Sequence, residues 1–253
     1  MRIQIALMLA IVAAGCSTTP PRLAPGMQLA PELAAVSPTA VSGREAFLGR
    51  GMLEFDRWNS TVPARLPNDH WLRVSNSIET PVTGEAGMHV DRAALNFSVN
   101  SGSGAAASTT QSQCIARGRF AKHVTHRGRS TDETAVKLPG YPRIDCAFDG
   151  ARAGQLSLQP SWLTQRDSGT AEFGTRRWTV ESVNNVESQR TDFPLARFGY
   201  QFSSNGKVVA AVETWGAGRV WIDPALEGAE QDELAVATTA LLFYASLLEY
   251  EDD

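Results

Sequence analysis

Apolar and polar residues alternate over short stretches through the middle and later parts of the chain. In residues 94–99 the large apolar side chains stand at every second position, and residues 155–159 repeat the pattern before Pro160. Residues 177–183 form a third such stretch. A period of two is typical of strands that bury one face, because successive side chains point to opposite sides. The pattern therefore predicts a mainly β fold made of many short strands.

The clearest predicted hairpin is centred on Asn205-Gly206, between strands expected over residues 198–202 and 207–215. Asn-Gly readily adopts the positive φ values that a type I′ turn requires. Residues 216–218, Gly-Ala-Gly, predict the next turn, and residues 219–223 the next strand.

The C-terminal segment has a different character. A helical pattern begins near Glu230, and the fifteen residues from Leu234 to Leu248 carry no charge. Their large apolar side chains lie all round the helix, so protein or lipid must surround it. Fifteen residues span only about 22 Å, less than the roughly 30 Å of a bilayer core. We therefore expect burial inside the domain, with Trp221 packed on the helix.

The N-terminus has the pattern of an export signal. Arg2 is followed by an apolar run over residues 3–14 that is shorter than the roughly 20 residues of a membrane span. Residues 13–16, Ala-Ala-Gly-Cys, resemble the lipobox of bacterial lipoproteins, although alanine replaces the usual leucine three positions before Cys16. The resemblance implies that the Cys16 thiol and the new amino terminus are acylated, which gives stable membrane anchoring. The alternative is an ordinary cleaved signal with an incidental cysteine.

The lipoprotein resemblance also implies a location and a domain organisation. Ser17, in place of aspartate, favours the periplasmic side of the outer membrane over the inner membrane or the cell surface. Residues 1–15 would be the signal peptide, and the Pro/Ala/Ser-rich residues 16–42 a lipid-anchored tether. A single globular domain is predicted over residues 43–253.

Charge and cysteine content narrow the function. The formal charge of −4 becomes −5 once Arg2 is removed with the signal, which argues against nucleic-acid binding. Cys114 and Cys146 remain as an even pair in an oxidising compartment, which favours a disulfide. A two-cysteine metal site is the alternative, but neither cysteine has a second ligand at a recognised spacing.

The chain contains no motif of a known catalytic or cofactor site. The G-x-S-x-G, H-E-x-x-H and phosphate-loop patterns do not occur. Ser103 lies in a low-complexity stretch, whereas a nucleophile needs a rigid seat. His123 and His126 would lie on opposite faces of a strand, which does not suit a shared metal. We predict no catalytic residue, no metal site and no cofactor, which favours a non-enzymatic protein.

One basic segment interrupts this acidic chain. Residues 117–129 carry Arg117, Arg119, Lys122, Arg127 and Arg129, and no acid. The segment is either an anion-binding patch for lipid headgroups, lipopolysaccharide or peptidoglycan, or an ordinary solvated strand and loop. The predicted function is accordingly a periplasm-facing binding or scaffold domain, with headgroup binding by this segment as the alternative.

The C-terminal third also resembles a known fold. Residues 206–212 and 218–224, followed by a helix over Asp232–Leu248, occur in an order similar to the tubby C-terminal-like fold of the LURP-one-related and phospholipid-scramblase families. The resemblance implies a closed twelve-stranded barrel around a central hydrophobic helix. Tubby domains bind phosphoinositides through basic barrel residues, but no motif transfers those residues to this chain. The structural alternative is an α+β domain whose sheet packs on one side of the helix.

Overall fold

The computed structural model describes residues 27–44, 52–61, 74–80, 84–102, 107–127, 130–137, 143–160, 166–184 and 198–250. For residues 74–80, 84–93, 118–127, 130–137 and 246–250 it describes the backbone alone. The elements of these ranges are a 3-10 helix at Pro31–Leu33, β1 Thr39–Ala40, β2 Met52–Phe55, β3 Trp58–Thr61, β4 Val74–Thr80, β5 Gly84–Ser101, β6 Ser108–Arg127, β7 Ser130–Lys137, β8 Arg143–Gly150, β9 Gly154–Pro160, β10 Asp167–Phe173, β11 Arg176–Val183, β12 Gly199–Ser204, β13 Lys207–Glu213, β14 Arg219–Ile222 and α1 Gly228–Tyr250.

The strands form a nearly closed, antiparallel barrel. Twelve of them follow the order β1-β14-β13-β12-β11-β10-β9-β8-β6-β5-β3-β2. A bridge between Ser42 and Glu54, with two N–H···O bonds of 2.9 and 3.0 Å, brings the first and last strands of this path together. This bridge covers the sheet edges that the barrel wall would otherwise expose between its first and last strands. The mainly β fold class is thereby confirmed.

The predicted strands and the hairpin are confirmed. The alternating stretches fall in β5, β9 and β11, and their apolar positions are buried in the described part of each strand. The turn between β12 and β13 has φ of 51° at Asn205 and 79° at Gly206. These are the positive values that a type I′ turn requires, and both residues adopt them at little cost.

The two ends of the barrel are built differently. At one end, here named the turn end, tight turns at 56–57, 174–175 and 205–206 join consecutive strands. The register places the longer connections at the opposite end, here named the loop end. The loop end carries the junction at Ser42–Arg44, the start of β2 and the loop 214–218.

Strands β5 and β6 are too long for the barrel wall. They pair with each other from Gly84 opposite Thr125 to Ser101 opposite Ser108. Within the barrel β6 pairs with β8 as far as Arg117, and beyond that point with β7. Residues 84–92 and 118–127, flanked by β4 and β7, therefore form a four-stranded extension at the loop end, here named the arm.

Helix α1 is buried on every side along most of its length. All residues from Asp232 to Ala245 are buried, which covers nearly four helical turns. The helix contacts β3, β5 and β6 as well as β13 and β14, which lie in different parts of the barrel path. In the described residues, no helix is long and apolar enough to cross a membrane. The apolar helix is therefore buried within the protein over residues 234–245, where its side chains are described.

The N-terminal segment corrects the predicted tether. Residues 27–42 belong to the folded domain, because Met27 and Leu33 are buried against β13 and β14 together with Trp221. Strand β1 pairs with β14, and the Met27 N–H donates to Glu213 Oε1 at 2.8 Å. A proline-rich composition is typical of a tether, but in this segment the few apolar residues cover the outside of the barrel. Residues 16–26 lie outside the described residues.

The same packing overturns the expected place of Trp221. The indole lies in the cluster under the N-terminal segment, not in the cluster that contains α1. Strand β14 alternates its faces, so Val220 joins the helix cluster while Trp221 points the other way. Sequence alternation alone left open which of the two faces the helix would take.

Candidate anion-binding surface

The described part of the basic segment, residues 117–127, lies on one continuous strand. Arg117 stands where β6 leaves the barrel wall, and Arg119, Lys122 and Arg127 occupy positions in the arm. Arg129 and Cys16 lie outside the described residues. Because β6 has no register shift, positions 117, 119 and 127 lie on the same face of the strand, as the strand interpretation predicts.

Strand pairing brings two further arginines beside Arg117. Arg92 of β5 is its register partner on one side, and Arg143 of β8 is its partner on the other. Three arginine positions therefore form one row across three adjacent strands. Like charges placed directly opposite destabilise a sheet unless a counter-charge lies nearby. Neither Arg92 nor Arg143 was singled out from the sequence, since the row exists only through strand register.

Asp145 supplies the counter-charge at the barrel side of this row. Its carboxylate accepts bonds from Arg117 Nη1 at 2.6 Å, Arg143 Nη2 at 2.8 Å and Ser157 Oγ at 2.9 Å. Burial opposes ionisation, but the bonds from Arg143 and Ser157 and the charges of both arginines outweigh it, so the pKa of Asp145 lies below its ordinary value. Two guanidinium groups thus share one carboxylate at a partly exposed site.

Acidic residues occupy positions on the two strands that flank the basic segment. Val124 pairs with Glu85 of β5 on one side and with Glu133 of β7 on the other. Thr125 pairs with Asp132. The segment lacks acids along the chain, but in the sheet it runs between strands that carry them.

A second ionic cluster holds the start of α1 at the turn end. Asp232 accepts bonds from Trp58 Nε1 at 2.9 Å, Arg152 Nη2 at 3.0 Å and Arg57 Nη2 at 3.2 Å. Burial raises the pKa of Asp232, but these three bonds and the charge of Arg57 lower it by more, so the net shift is downward. The cluster joins the helix to β3 and to the β8–β9 turn.

The next residue along the helix repeats the arrangement. The Arg176 guanidinium donates two bonds to the Glu233 carboxylate. This hydrogen bonding is the main cause of the raised pKa of Arg176. Together with Asp232, Glu233 fixes the helix start against three different turns, which is a structural role rather than a binding site.

Metal-ligating side chains do not gather in the described residues: no group of three or more His, Cys, Asp or Glu could hold an ion there. His123 and His126 lie on the continuous strand β6, so their spacing of three places them at alternate positions, as expected for a strand.

Comparison of the chain with protein-family models, with curated proteins and with solved structures finds no match.

Proposed function

We propose that the protein is a lipid-anchored lipoprotein of the bacterial cell envelope, attached to the periplasmic side of the outer membrane. Its barrel serves as a non-enzymatic binding or scaffold domain. The observation that carries the proposal is the Ala-Ala-Gly-Cys sequence of residues 13–16 at the end of an apolar run. Small residues before a cysteine are what lipoprotein processing requires in the proteins that this segment resembles.

The disulfide supports an exported location. Cys114 and Cys146 are register partners on β6 and β8, and their sulfur atoms are bonded. Both residues are buried in the core. Disulfides persist in the periplasm and are rare in the cytosol. A structural bridge of this kind therefore favours folding after export.

The burial of α1 supports a tubby-like arrangement with the helix along the barrel axis. Asp232 bonds to Arg57 and Arg152 at the turn end. At the loop end, Leu242 of the helix lies close to Gly218, because a Cβ atom placed on Gly218 would be 3.3 Å from Leu242 Cδ2. A helix that reaches both ends and is buried at every position from 232 to 245 fits a central location better than packing on one outer face.

Intact mass tests the anchor directly. The protein purified from membranes should begin at Cys16 and carry the mass of a diacylglycerol and an acyl chain. Cys16→Ser should abolish this modification. Replacing Ser17 is the matched control, because a neighbouring substitution should leave acylation intact. A mature protein of unmodified mass would contradict the proposal.

Headgroup binding is the second candidate, favoured by the arginine row. Arg117 and Arg143 are about one-third exposed and share a single carboxylate, so two guanidinium groups stand together at one partly exposed site where a phosphate could bind. Binding of the Cys16→Ser protein to phosphatidylglycerol vesicles, lipopolysaccharide and peptidoglycan should weaken when Arg117, Arg119, Arg127 and Arg129 become glutamine. Arg177→Gln is the control, since Arg177 is an exposed arginine elsewhere. Unchanged binding to all three would exclude the patch.

A further inference from the structure

Two large apolar side chains of the described residues are exposed, and both lie at the loop end. Trp215 is 55% exposed and Met52 is 47% exposed. Trp215 lies in the loop between β13 and β14, and Met52 begins β2 beside the Ser42–Arg44 junction. Single exposed apolar residues need no explanation, but these two flank the same junction, Met52 beside Gly43 and Trp215 on the loop bonded by Arg44.

The loop that carries Trp215 is held in place. The buried Arg44 donates Nη1 bonds to the carbonyl oxygens of Thr214 and Gly216, on either side of Trp215. The indole also contacts the ring of Phe198, with centroids 5.8 Å apart. The tryptophan is therefore presented on a braced loop, and its exposure is a property of the fold.

The chain leads into the domain at this same end. Met27 bonds to Glu213, two residues before Trp215, and it packs against Gly199, next to Phe198. Eleven residue steps separate Met27 from Cys16, and a fully extended chain covers at most about 40 Å in that length. A barrel strand of eight residues is itself about 26 Å long. Reaching a membrane beyond the turn end would consume most of that length.

We propose that the loop end is the face of the barrel that rests on the bilayer holding the protein's own lipid anchor. Trp215 and Met52 enter the headgroup region, where an indole satisfies both its apolar ring and its N–H. The arm and the arginine row lie at the same end, close to the lipid phosphates. The turn end, closed by ion pairs around Asp232, faces away from the membrane. This inference rests on the proposed lipid anchor.

Fluorescence quenching by brominated lipids tests the orientation. The full lipidated protein is reconstituted into vesicles of phosphatidylethanolamine and phosphatidylglycerol, with and without brominated acyl chains. We expect lipid-dependent quenching in the wild type and its loss in Trp215→Phe, which removes this fluorophore and keeps an aromatic ring. The difference between the two proteins cancels the contribution of the other tryptophans.

A relocated tryptophan is the matched control. Thr175 lies exposed in a turn at the turn end, so the double variant Trp215→Phe/Thr175→Trp moves the exposed indole to the opposite end of the barrel. It should float with the vesicles and remain unquenched. Equal quenching of this variant and the wild type would overturn the orientation.

Flotation of the vesicles separates the two proposals. A wild-type protein that does not float overturns the lipid anchor and the orientation together. A protein that floats while Trp215 stays unquenched overturns the orientation alone. In that case, chemical crosslinking lost in Trp215→Ser would assign the loop end to contact between two copies of this chain.

Discussion

The two ends of the barrel place the same residue types in opposite environments. At the turn end Trp58 is buried, lies under the Arg57 guanidinium and donates to Asp232. At the loop end Trp215 is more than half exposed. The difference shows that one end of the fold is closed by internal bonds around the helix start, while the other exposes two large apolar side chains.

The largest effect on the free energy of unfolding should come from replacing the tryptophan of one end, Trp58, rather than that of the other, Trp215. Trp58→Ala removes a buried ring and the N–H bond to Asp232, so it should lower the free energy of unfolding by about 3–5 kcal/mol. Trp215→Ala should change it by less than about 1 kcal/mol, because the ring is mostly solvated. Urea titration measures both, and similar losses would show that the ends do not differ as described.

Removing a carboxylate should likewise cost more unfolding free energy at the turn end, where Asp232 lies, than at the loop end, where Asp145 lies. Asp232→Ala removes the acceptor of the Trp58 N–H and of one bond from each of two arginines in a largely buried site, at a cost of about 2–4 kcal/mol. Asp145 is more exposed, so Asp145→Ala should cost roughly 0.5–1.5 kcal/mol. Asp232→Asn is the control for shape, because the amide oxygen still accepts from Trp58. An equal cost for the two alanine variants would contradict the comparison.

The pH dependence of stability should report the same carboxylates. The folded-state pKa values of Asp145 and Asp232 both lie below their unfolded values. Their contribution is therefore complete above about pH 4 and is lost as the pH falls through the folded-state pKa. Unfolding free energies measured between pH 6 and 2 should fall less steeply in Asp232→Asn than in the wild type. If the unfolding free energies of Asp232→Asn and the wild type fell with the same slope, Asp232 would not contribute to acid unfolding.

Backbone strain should be the smallest effect and should not distinguish the ends. Gly206 at the turn end and Gly216 at the loop end have φ of 79° and 61°, with open space around each. Alanine at either position should cost about 1 kcal/mol. Gly228→Ala, at the start of α1, is the control and should be neutral or slightly stabilising. Thermal unfolding would resolve this difference in sign.

Local patterns were sufficient for several of the elements, because those elements depend on neighbouring residues. Alternation identified β9 and β11, the Asn205-Gly206 turn fixed one hairpin, and the uncharged run from Leu234 identified the helix. The disulfide followed from counting cysteines. The packed segment from Met27 was missed, since a proline-rich composition is typical of tethers and its few apolar residues showed no periodicity. Acylation of Cys16 stays a prediction.

Contacts between distant residues required the tertiary structure. Arg92, Arg117 and Arg143 form a row because β5, β6 and β8 pair in one register, and a shift of one residue would separate them. The positions of Glu85 and Glu133 beside the basic segment have the same origin. No local signal along the chain encodes which strands become neighbours.

The sequence by itself indicated several of the strands, among them β9 and β11, the all-round apolar character of the last helix, and the pairing of Cys114 with Cys146. It did so because backbone conformation and burial follow from short-range periodicity. Only the tertiary structure decided that Trp221 lies under the N-terminal segment and that Trp215 is exposed. A tryptophan in a strand or a loop has the same local pattern in either environment, and its exposure depends on what the rest of the chain places over it.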